Sequence, residues 1–158
     1  MTAARDLLRH TVATLSYRAA KTLTAAPAGF DAFRAGPGSR TPAEIVAHIG
    51  DLFDWAFHLA QGKQVWKPSK PLPWDREVER LFAALQRFDD FLATDAPLGC
   101  PAEQLFQGPV ADALTHTGQL AMLRRLAGAP VRGENYARAN ILAGRIGLEN
   151  PGRRIELD

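Results

Sequence analysis

The chain has 158 residues, 46% of them apolar and 23% charged, and a formal net charge of +2 with neutral histidines. Such a composition fits one soluble globular domain with enough apolar side chains for a core of its own. It excludes the basic stripe that nucleic acid requires. The lone Cys100 rules out an internal disulfide and a thiolate metal cage, and no apolar run reaches the roughly 18 residues of a membrane span. Charges interrupt the first ten residues, against a secretory leader, so a cytoplasmic protein is expected.

In chain order, a first helix is predicted from about Thr2 to Ala25, with Leu8, Thr11, Leu15, Ala19 and Leu23 at helical spacing. Ala26 to Arg40, rich in Gly, Pro and Ala, reads as a loop pinned by Phe30 and Phe33. The second helix opens with Thr41-Pro42-Ala43-Glu44, a capping box with proline at the first helical position. Its apolar stripe is Ile45, Ile49, Leu52, Ala56 and Leu59, and it ends near Gly62. Lys63 to Pro73 is a proline-bearing crossover; its Pro68-Ser69-Lys70-Pro71 reads as a stiff connection rather than as a ligand for a partner domain. Trp66 and Trp74 flank this crossover and are expected to anchor it.

A third helix is predicted from Trp74 to Ala93, with Val78, Leu81, Leu85, Phe88 and Leu92 as its stripe. Asp75, Glu77 and Glu79 sit near its positive end. Thr94 to Gln107 reads as a loop. The fourth helix is predicted from Gly108 as N-cap and Pro109 at the first position to Gly128, where a left-handed glycine and Pro130 close it. A short helix over Glu134 to Gly144, carrying Tyr136 and Asn140, and an extended tail from Arg145 to Asp158 complete the chain. The expected class is all-α: a four-helix bundle in a single domain, residues 1–158, with non-sequential packing allowed by two long connections.

Three side chains stand out. Asp112 and His116 are four apart and so share one face of the fourth helix with Leu120 and Leu123. His48 lies on the apolar side of the second helix, three after Ile45 and four before Leu52. Imidazole and carboxylate are common ligands of zinc, nickel and iron. An i,i+4 pair offers two ligand atoms to one point, and a third from a facing helix leaves positions open for water or substrate. The competing reading is that Asp112 is a helix-start carboxylate bonded to His116 or to an arginine. His10 and His58 are weaker candidates, and His58 is rotated off the ligand face and expected to be partly exposed. Trp55, Phe53 and Tyr136 could line a pocket, although aromatics at such spacing belong more often to a core. Cys100, before a proline with no base nearby, has no nucleophile's setting. No phosphate loop, nucleophile elbow or His-Glu-x-x-His motif is present.

Ala47-His48-Ile49 after the Thr-Pro-Ala-Glu cap, with Asp112-x-x-x-His116-Thr-Gly-Gln-Leu on a late helix, resembles the DinB-like superfamily over roughly His10 to Asn140. The resemblance implies a four-helix bundle of up-down-down-up topology. Its members typically hold a divalent metal with three histidines, one on the second helix and an i,i+4 pair on the last long helix. His48 and His116 match two of these, and Asp112 stands where the first histidine of the pair usually stands. A 2-His-1-carboxylate set still suits divalent metals and adds a negative charge. Some relatives are S-transferases that use low-molecular-weight thiols. The resemblance thus implies a metal enzyme that activates a thiol or water, of S-transferase or hydrolase type. The expected partners are a small molecule such as a low-molecular-weight thiol and a second copy of the chain, with neither nucleic acid nor membrane. The alternative is a metal-free, dimeric binding or stress-associated bundle whose His/Asp cluster is structural.

Overall fold

The helices of the chain are set by caps and stripes. In the computed structural model, which describes residues 2–149, α1 spans Ala3–Leu23, α2 Pro42–Ala60 and α3 Trp74–Ala93. A last helical stretch follows: α4, Ala102–Leu105, passes through a π-helical turn at Phe106–Val110 into α5, Ala111–Leu126. The described residues contain no strand. None of their helices is long and apolar enough to cross a membrane.

The start of α2 carries the full capping box. Thr41 Oγ1 accepts from Glu44 N at 3.2 Å, and Thr41 N donates to Glu44 Oε2 at 2.7 Å, so two orphan donors are satisfied reciprocally. All five expected stripe residues of α2 are buried, as are all five of α3. On α1 the expected stripe is corrected at one place. The Thr11 hydroxyl turns back to the Leu7 carbonyl at 2.8 Å, and Val12 takes the core position instead. Phe30 is buried, as expected, in a 3-10 turn at Phe30–Ala32, edge-on to Trp74 at 6.0 Å between ring centroids.

Side-chain pairs record how the helices lie. Arg9 meets Asp89 at 2.9 Å, and Arg5 near the start of α1 bonds the carbonyls of Thr94 and Ala96 beyond the end of α3; these two helices run oppositely. Between α2 and α3 the pairs advance together: Asp51 with Arg80, Asp54 with Arg87, Phe57 with Phe91. The crossover carries the chain back so that these two helices lie side by side in one sense. Between α2 and α5 the pairs oppose: His48 faces Asp112 and His116, while Trp55 faces Gly108. At the far end of α2 the backbone of Gly99 lies against Gly62. A Cβ on Gly99 would fall 2.1 Å from the Gly62 nitrogen, so only glycine fits this crossing.

One arginine ties the α2–α3 seam to the crossover. Arg80 donates to Glu77 Oε1 at 2.6 Å, Asp51 Oδ1 at 3.0 Å, the Ala47 carbonyl at 2.7 Å and Ser69 Oγ at 2.9 Å. Asp51 in turn accepts from the backbone N–H and hydroxyl of Ser69, both at 2.8 Å, and Glu77 accepts from Leu72 N at 2.7 Å. Glu77, near the start of α3, is fully buried. The Pro68–Pro71 segment is bound to its own protein through Ser69.

Two expected elements are corrected. The last long helix does not begin at Gly108 and Pro109. Helical backbone starts at Ala102, after Pro101, and Pro109 lies inside the π-helical turn. The wider turn changes the hydrogen-bond register around a residue that has no N–H to give. The C-terminal end is as expected: Gly128 has φ +79° and Ala129 N closes onto the Arg124 carbonyl at 2.9 Å, satisfying a late carbonyl. The short helix expected over Glu134 to Gly144 is only a 3-10 turn, Tyr136–Arg138, and Asn140 lies outside it. Glu134, instead of starting a helix, is buried against Tyr17 and Lys21. Of the expected tail, residues 150–158 lie outside the described residues.

Replacing Arg80 with Ala strands two buried carboxylates without a counter-charge. Stability should fall by about 3–5 kcal/mol, read from urea unfolding of the two proteins. A change below about 1 kcal/mol would mean that the network is not what holds the seam.

Candidate metal centre

His48 comes from the second turn of α2, and Asp112 and His116 from the start of α5. The three converge. His48 Nε2 lies 3.5 Å from Asp112 Oδ2, and His116 Nε2 lies 3.4 Å from Asp112 Oδ1. One ligand atom from each residue lies within 4.8 Å of the other two. The imidazoles meet edge to face, with centroids 4.7 Å apart. The side chains are 20%, 47% and 12% exposed for His48, Asp112 and His116, so the cluster has two shielded imidazoles and one carboxylate open to solvent.

The orientation of His116 is fixed from behind. Its Nδ1 lies 2.8 Å from Gln119 Oε1. With Nδ1 donating to that amide oxygen, a neutral ring turns its Nε2 lone pair toward Asp112. In that form two acceptors face each other at 3.4 Å, which a cation between them or a proton on Nε2 resolves. The spacing fits one. Ligand bonds of about 2.0–2.2 Å place neighbouring ligands of a tetrahedral ion roughly 3.4 Å apart, whereas an N–H···O hydrogen bond prefers about 2.7–3.2 Å.

Burial lowers the pKa of His48 below the ordinary 6.5, and the neighbouring His116 and Arg40 push the same way against the opposing pull of Asp112. His48 is thus neutral at pH 7, the form that coordinates metal. The cluster lies on the wall of a pocket of about 660 Å³, which Arg40 and Gln119 also line. Ile45, Met122, Leu123 and Leu126 supply its apolar side.

The other sequence candidates lie elsewhere. His10 is exposed on α1, and His58 is partly buried beside Phe57. Phe53 is core. Trp55 approaches the site only through Trp66, whose ring is edge-on to both Trp55 and His48 at 5.8 Å. Tyr136 is away from the cluster, packed against Tyr17 with the Arg18 guanidinium 3.9 Å above its ring. Burial raises the Cys100 thiol pKa, the opposite of an activated nucleophile. The sequence reading missed Gln119, Arg40 and Trp66 as members of the site. Gln119 had a signal, being three residues beyond His116 and hence on its face.

No family model, curated protein or solved structure matches the chain. What the cluster can do rests on its own chemistry.

The ring-proton resonances of His48 in metal-free protein should titrate with a midpoint below 6.5. A midpoint at or above that value would mean that Asp112 outweighs burial and Arg40.

Proposed function

We propose that the protein is a divalent-metal-binding bundle of the DinB-like kind that works as a cytoplasmic enzyme on a small molecule, activating a thiol or water. The observation that carries the reading is the meeting of three ligand atoms, with the His116 lone pair directed at the Asp112 carboxylate from 3.4 Å. The succession of helix senses, with α2 and α3 alongside each other, supports the family resemblance. The ligand positions support it too: one histidine on α2 and an i,i+4 pair on the last long helix. His48, Asp112 and His116 would hold zinc, nickel or iron, and the ion would supply a lowered pKa to a thiol or water.

The chain's own residues do the rest. Gln119 keeps the His116 lone pair aimed at the site, as outer partners of metal-bound histidines do. Trp66 shields one flank of His48. Asp112, where a third histidine would be neutral, cancels one positive charge and leaves the centre less electrophilic. A second reading, a metal-free bundle, is favoured by the exposure of Asp112, which lets water satisfy the carboxylate.

Zinc titration by calorimetry on protein purified without an affinity tag separates the two. The parent should bind at micromolar metal or better. Asp112→Ala should lose more than the roughly 10–100-fold typical of an outer-shell change, and Gln119→Ala should fall within that range. Asp112→His should restore tight binding. No uptake by the parent would sink the enzyme reading; melting curves should then place Asp112→Ala within about 1 kcal/mol of the parent, as for an exposed pair.

A further inference from the structure

The pocket beside the cluster is lined by one arginine, Arg40, that has no ion-pair partner among the described residues. Arg40 lines the pocket and its charge is felt at His48, yet among the described residues no carboxylate pairs with it. Its neighbours in sequence behave otherwise. Arg34 is engaged by Glu44 at 3.5 Å and by the Ser39 carbonyl. The Arg40 backbone is held from both sides. The turn before it closes through Ser39 Oγ and Gly36, at 3.2 Å from N–H to hydroxyl and 2.8 Å from hydroxyl to carbonyl. The capping box of α2 begins at the next residue. Among the described residues no carboxylate holds the Arg40 guanidinium, and the backbone that carries it is fixed on both sides.

The wall of the pocket has the opposite character. Met122 and Leu126 are each 56% exposed on successive turns of α5, above buried Ile45 and Leu123. Two large apolar side chains facing water beside a cation and a polar cluster make an amphipathic site. Charge points the same way. Asp112 is the one acid on the pocket wall. With a divalent ion bound, the ion and Arg40 outweigh it, and an anion reduces the excess positive charge. The cleft of about 780 Å³ between α1, α5 and the segment around Tyr136 offers no such cation. There Arg18 is laid over Tyr136 and Arg132 has a partner of its own.

We propose that Arg40 is the anion-binding residue of this pocket and that the pocket takes an organic acid. The carboxylate sits on Arg40, an apolar body lies along Met122 and Leu126, and the reactive group reaches His48, Asp112 and His116. An arginine suits a carboxylate because its planar fork can bond both oxygens. The inference deepens the metal-enzyme reading by naming its substrate class, and its test can fail separately from that reading.

Octanoate, octanamide and acetate serve as probes, titrated calorimetrically into the zinc-loaded and metal-free protein. In the parent, octanoate should bind at least about tenfold more tightly than octanamide or acetate, since the charge-assisted bond and the apolar wall must both be used. Arg40→Ala should lose about tenfold or more in octanoate affinity and Arg40→Lys should keep part of it, while both still bind zinc. Arg40 is exposed and its replacement leaves the fold intact, which a melting curve verifies. Equal binding of octanoate and octanamide, parent-like octanoate binding by Arg40→Ala, or no octanoate binding at millimolar concentration would each overturn the proposal. If the parent takes up no zinc, the metal-enzyme reading falls, and the octanoate comparison on metal-free protein decides the present proposal by the same criteria.

Discussion

The seam between α2 and α3 is registered by the four-way engagement of Arg80. Placing two helices side by side in the same sense requires a long connection, and a long connection must be fixed to something. Arg80 fixes it by gathering a buried acid from each helix, a serine of the crossover and the carbonyl of Ala47. A buried ion cluster of this kind adds little net stability over an apolar equivalent, but removing one partner is costly. Its value here is register. Ala47 immediately precedes His48, so the network that positions α3 also fixes the turn of α2 from which the first imidazole projects.

The site inherits that order from one side and Gln119 from the other. The bundle interior shields both imidazoles, and the edge of α5 leaves the carboxylate wet. The result is an asymmetric cluster, two nitrogens in shelter and one anionic oxygen at the mouth. Arg40 stands outside it, on a turn whose hydrogen bonds are all local. The cluster and the arginine thus belong to parts of the chain that are stiffened independently.

Much of this was legible in the sequence, and the reasons are specific. The start of α2 was readable because a capping box is a local pattern with local satisfaction. The stripes of α2 and α3 were readable because their apolar residues keep a period of 3.6 over about four turns. Asp112, His116 and His48 could be placed on inward faces from the same period. What failed had no local signature. Gly108 and Pro109 read as a start because such residues usually interrupt helices, whereas a π-helical turn lets the backbone continue past them. Glu134 read as part of a short helix because its partners, Tyr17 and Lys21, lie more than a hundred residues away. Arg40 and Trp66 reach the site from loops, where no periodicity tells which way a side chain points.

The turn at Phe106–Val110 has a consequence for helical phase. Each residue of an α-helix advances the face by about 100°, and a π-helical turn shifts the phase of everything after it against everything before. Leu105, ahead of the turn, is buried in the core, while Asp112 and His116, beyond it, look toward α2. Deleting one residue within the turn would make the helix more regular and would rotate both ligands away from His48, with every ligand residue still present in the sequence. In this chain the irregular turn works as an angular offset between the half of the helix that packs and the half that presents the site.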